Sequence, residues 1–150
     1  MGKRKERSVF WVVSTHVLTT GFVMPLLAGV IGAAVVFAHE LRPIVGLLVQ
    51  QGLLALGYIG GAYYSLSYIR KVAIVRRPMA CVKPSIVAFV VLAVIGFGLS
   101  IAGLILGPSL QGFEGVLLVA DVAVFYIVIT FGLAIITRRG FAGLEKQKDS

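Results

Sequence analysis

Apolar residues run almost without interruption through four stretches of the chain, at about 10–38, 44–69, 85–107 and 115–137. None of the four holds a Lys or Arg, and Asp121 is the one side chain within them that is charged by default. A bilayer core of about 30 Å is crossed by roughly 20 helical residues, each rising about 1.5 Å. Every stretch reaches that length. Buried strands would show as short apolar runs between turn signals, so runs this long favour helix. The pattern predicts an all-α integral membrane bundle of four transmembrane helices, one domain covering residues 1–150.

Within such uniform hydrophobicity, small and polar residues carry the information, because membrane helices associate by close packing and interhelical hydrogen bonds. In the third stretch Ser85, Phe89, Ala93, Gly96, Ser100, Gly103 and Gly107 recur every three or four residues and fall on one helical face. Gly96 with Ser100, and Gly103 with Gly107, form small-x-x-x-small pairs that admit another backbone. In the second stretch Gln50, Gln51, Gly57, Tyr58, Gly61, Tyr64, Ser65 and Tyr68 share an arc of roughly 140° at helical period. Val45, Leu48, Leu56, Ile59 and Leu66 lie opposite and are expected to face lipid, leaving the polar arc for the bundle interior. Pro25 has no N–H for the carbonyl of Gly21, so the first helix is expected to kink between them.

Composition rules out an ordinary soluble domain. With 59% hydrophobic residues and a mean hydropathy of +1.00, too few polar residues remain to cover a core. Charge then orients the helices. Thirteen of the fourteen Lys and Arg residues fall in the N-terminal flank, the second connection and the C-terminal tail. The first connection keeps only Arg42 and the third has none. By the positive-inside bias both termini are expected on the cytoplasmic side. The net charge of +8 is therefore read as a topology signal with an attraction to anionic lipid, and not as a nucleic-acid surface. The apolar run after Lys3-Arg4-Lys5 is too long for a signal-peptide core, so the first span is expected to be retained. The expected location is the cytoplasmic membrane. The closing Lys-Gln-Lys-Asp-Ser fits a retrieval tail, which makes the endoplasmic reticulum the alternative in a eukaryote.

Candidate chemistry is sparse. Asp121 lies about two turns inside the outer end of the fourth span, at a depth like that of Gln50 and Gln51, so the three are expected to meet. His16 lies near the inner boundary, apart from Asp121, and reads as a hydrogen-bonded packing residue beside Thr19 and Thr20. There is no nucleophile elbow, no phosphate-cradling glycine loop and no metal-ligand spacing. Cys81, the sole cysteine, has no partner for an internal disulfide. No catalytic role, cofactor or metal is expected. The expectation is a non-catalytic subunit or accessory component that assembles as a homo-oligomer or in a larger membrane complex. Its contacts would run through Gly96, Ser100, Gly103 and Gly107, with Gly57 and Gly61 as further packing positions. The alternative is a small oligomeric transporter or channel, with Gln50, Gln51, Tyr58 and Asp121 along its polar path.

Overall fold

A computed structural model describes residues 5–39, 43–106 and 113–146, except for the side chains of 43–44, 103–106 and 113–114. The chain is helical nearly throughout, and four helices are long and apolar enough to cross a membrane. The first is built in three pieces. Ser8 caps helix α1 (Val9–Leu18), its Oγ accepting the Trp11 N–H at 3.2 Å. A π turn follows at Thr19–Val23, and helix α2 (Met24–Ala38) completes the span. The π turn falls at the expected kink. Pro25 has no N–H to give Gly21, and the wider turn lets the Met24 N–H reach the Thr19 carbonyl, five residues back.

Helix α3 (Pro43–Val72) forms the second span, a short 3₁₀ turn (Pro78–Cys81) leads into helix α4 (Val82–Leu106), and helix α5 (Phe113–Lys146) closes the chain. In α5 the helix outruns the span: it continues through Arg138, Arg139 and Gly140 to Lys146. The packing order differs from the chain order. The first span lies against α3, α3 against α5, α5 against α4, and α4 against α1. The segment after α3 carries the chain across one end of the bundle before α4 begins.

That end has a feature the hydropathy pattern does not predict. Strand β1 (Lys5–Glu6) pairs in parallel with strand β2 (Ala73–Ile74), extended by an Arg7 N–H to Ile74 carbonyl bond of 3.2 Å. The ribbon is too short to read from periodicity, and it ties the N-terminal flank to the second connection. Arg76 adds an ion pair with Glu6. Beneath the ribbon Val12, Ile69, Ala73, Cys81 and Phe141 form one buried cluster. The flanks bearing Arg7, Arg70, Arg76, Arg138 and Arg139 therefore share one end of the bundle, called the basic end below. A second cluster, Ala62, Phe89, Ile129 and Leu133, fills the middle.

Outside these clusters the helices present large apolar side chains outward. Phe37, Leu99, Ile127 and Phe131 are each at least 69% exposed. Water around such a surface costs about 25 cal/mol per Å², whereas hydrocarbon around it costs nothing comparable. On α3 the expected division is corrected at three positions. Tyr64 and Tyr68, expected to face inward, are 61% and 42% exposed. Leu66, expected to face lipid, is buried, its side chain filling the space that Gly140 leaves on α5. Both tyrosines lie on the turns of α3 nearest Arg70.

Candidate functional site

At the basic end three of the four spans bring polar side chains to one buried junction, and α4 brings the Phe89 ring. His16 on α1, Thr20 on the π turn, Ser65 on α3, Ser85 on α4 and Thr137 on α5 are each at most 1% exposed. His16 is the hub: Nδ1 lies 2.6 Å from Ser65 Oγ and Nε2 lies 3.0 Å from Thr137 Oγ1. Ser65 donates its only hydroxyl proton to the Ala62 carbonyl at 3.0 Å. Its oxygen must then accept from His16 Nδ1–H. A neutral ring with that tautomer leaves Nε2 to accept from Thr137. Thr20 Oγ1, 3.3 Å from Ser65 Oγ, completes the chain of hydroxyls. Phe89 and Phe141 close the ring in edge-on contacts at centroid distances of 5.4 and 5.5 Å. Ser85 Oγ is buried and has no hydrogen-bond partner among the described residues.

The other polar centre lies toward the opposite end. Gln51 Nε2 donates to Asp121 Oδ2 at 2.7 Å, joining α3 to α5, and both residues are half-buried. Gln50 does not join them. One residue along the helix turns its side chain by about 100°, and its Nε2 instead donates to the Gly29 carbonyl on α2 at 3.1 Å. Tyr58 lies between the two centres, beside a central void of about 10 Å³ shared with Gly21, Leu92, Tyr126 and Leu133. That volume is about one water probe, so the middle of the bundle is closed.

The small residues meet partners inside the chain. A Cβ at Gly57 would lie 2.7 Å from Ala28 Cβ and 2.9 Å from the Met24 carbonyl. At Gly61 it would lie 3.0 Å from Thr20 Cα. At both glycines the backbone of α3 closely approaches that of the first span. On α4 a Cβ at Gly96 would lie 2.8 Å from the Tyr126 ring. Ser100 donates to the Gly96 carbonyl at 2.9 Å, and its Oγ stands 3.3 Å from the Tyr126 hydroxyl. This part of the third-span face, expected to receive another protein, is occupied by α5 of the same chain. Gly103 and Gly107 lie outside the residues whose surroundings are described, as does the Glu114 side chain.

Thr137 and Tyr126 have no counterpart in the sequence reading. Depth was the available signal for Thr137: it directly precedes Arg138, as Ser65 precedes Arg70 by five residues and Ser85 follows Lys83 by two. Tyr126 had no such marker. Among the described residues no three His, Cys, Asp or Glu side chains converge on a point. The arrangement can fasten helices. No family model, curated protein or solved structure matches this chain.

Proposed function

We propose that this chain is a small multi-pass membrane protein acting without catalysis, as a packed subunit or accessory component of a membrane assembly. Its basic end faces the cytoplasm, following the bias of Lys and Arg. The observation that carries the reading is the closed interior: about 10 Å³ where the four spans meet, against an exterior rich in exposed apolar side chains. With the spans packed this closely where they meet, the helical surfaces are the proposed means of action. Gly96 and Ser100 are already engaged by Tyr126, so assembly is assigned to outward positions such as Gly98 on α4 and Gly132 on α5, where a side chain would meet open space.

Cysteines placed singly at Gly98 and Gly132, in a Cys81→Ser background, test this in native membranes. Crosslinking to a second copy or a co-purifying partner is expected from at least one of them, and none from a cysteine at Gly96. A strictly monomeric chain that crosslinks to nothing from any outward position would remove the reading. Transport is the second reading, and the half-buried Gln51–Asp121 pair is what favours it. Flux in liposomes that disappears in Asp121→Asn would establish it in place of the first. Background flux in both forms leaves the subunit reading in place.

A further inference from the structure

We propose that the groove between α3 and α5 at the basic end is a binding site for one anionic phospholipid. The two helices run in parallel toward that end, because both reach it at their C-termini. Leu66 reaches the Cβ position of Gly140 and Arg70 Nη2 that of Gly143, so Arg139 lies about level with Leu66 and Arg70 about one turn beyond. On α3 Leu66 is followed one turn later by Arg70, and on α5 Ile135 is followed one turn later by Arg139. The result is a groove of about 330 Å³ with an apolar floor and two guanidinium groups at its mouth. Tyr63, 62% exposed, and Ser67 stand along the α3 wall, two turns and one turn before Arg70 respectively. Among the described residues neither Arg70 nor Arg139 has a carboxylate partner.

That sequence of groups matches an amphiphile. A phosphate at the mouth receives two planar donor forks, for which arginine is better shaped than lysine. The ester region meets the Tyr63 and Ser67 hydroxyls, and the acyl chains leave along Ile135 toward the apolar exterior. From Tyr63 to Arg70 is seven residues, about 10 Å along the helix axis, which covers a headgroup and the first acyl carbons. A free phosphate would use only the mouth and would leave the apolar floor uncovered, so the occupant is a lipid. The inference rests on placement of the chain in a bilayer. It does not depend on assembly, and the test reads it on the purified particle whether monomeric or oligomeric.

The detergent-solubilised full chain is titrated with phosphatidylglycerol, phosphatidylcholine or inorganic phosphate, and bound species are counted by native mass spectrometry. The wild type is expected to retain one phosphatidylglycerol in preference to phosphatidylcholine, with no effect of phosphate. The double variant Arg70→Gln/Arg139→Gln is expected to bind it about tenfold more weakly or worse. The control Lys71→Gln/Arg138→Gln removes equal charge beside the groove and is expected to bind as the wild type does. Helix content by circular dichroism confirms that each variant is folded, and Arg70→Lys/Arg139→Lys, which keeps the charge, should fall between. Equal losses in both Gln pairs would reduce the site to general charge attraction and overturn the proposal. Equal binding by wild type and Arg70→Gln/Arg139→Gln, no lipid preference, or competition by phosphate would each overturn it as well.

Discussion

At the basic end of the bundle His16 has a hydroxyl on each ring nitrogen and no exposed surface, while toward the other end Gln51 and Asp121 share one bond and stay half-buried. The polar groups are of similar strength. What differs is how many elements press on them. A strand pair, a 3₁₀ turn and the extended end of α5 close the basic end, and the fully buried large side chains gather there. Near Asp121 the hydrogen bond shown is with one helix, from Gln51 on α3. A polar group in this bundle is thus fully buried where several elements seal it, and half-buried where two helices meet.

The sharpest way to break this comparison is to remove its hub. His16→Leu leaves Ser65 and Thr137 without their ring partner in a buried junction and exchanges a planar ring for a branched chain. Unsatisfied buried groups cost about 1–3 kcal/mol each. Allowing for partial rearrangement, a loss of about 3 kcal/mol is expected, read as a lowered midpoint in denaturant titration of the detergent-solubilised protein. The equivalent change at the other centre, Asp121→Leu, is expected to cost less than half as much. Equal effects would mean that the sealing elements contribute nothing to the difference.

The seam between the two centres is governed by glycine. Gly57→Ala places a methyl against the Met24 carbonyl, a backbone atom that cannot rotate away, so α3 and the first span must separate. Overpacking of this kind costs about 1–3 kcal/mol. Gly60, three residues on, faces open space, and Gly60→Ala is expected to be neutral or to stabilise by up to about 1 kcal/mol through helix propensity. The sign change between neighbouring glycines of one helix is the observable, measured by the same denaturant midpoint.

Asp121→Asn sharpens the comparison from the loose side. An asparagine carbonyl still accepts from Gln51 Nε2, so the interhelical bond survives with a neutral acceptor. Such bonds in membranes average about 0.6 kcal/mol, and the expected change in the denaturant midpoint is smaller than that. A loss as large as that of His16→Leu would show that Asp121 is held as firmly as the histidine.

These contrasts separate what the chain discloses by pattern from what it discloses only by assembly. The four helices were legible because unbroken apolar runs of this length, without Lys or Arg, mark helices long and apolar enough to cross a membrane. A break in the regular helix before Pro25 was legible for a similarly local reason, and the structure shows it as a π turn. The Gln51–Asp121 bond followed from matching depth, whereas the parting of Gln50 from it turned on a single rotation about the helix axis. The junction at His16 was half legible. The histidine stood out, but Ser65 and Thr137 are short, common side chains whose meaning comes from the packing of α3 against α5, out of chain order. The partner of Gly96 was open for the same reason: a small-residue face states that something approaches, and Tyr126 on α5 is what arrives. The β1–β2 ribbon lies beyond periodicity altogether, since two residues have no period.

That ribbon carries the smallest expected effect. The Glu6–Arg76 pair that accompanies it is open to solvent, at 52% and 77% side-chain exposure. Exposed pairs contribute about 0–1 kcal/mol, and salt screens them further. Glu6→Gln is therefore expected to leave the denaturant midpoint within error at 150 mM salt. Hydrogen exchange at the Arg7 amide reads the ribbon itself, because that N–H is bonded to the Ile74 carbonyl. If protection there persists in Glu6→Gln, the basic end is closed by backbone pairing and by the apolar cluster beneath it. If protection collapses, the surface ion pair holds the ribbon in place, and the sealing of the His16 junction then depends on ionic strength.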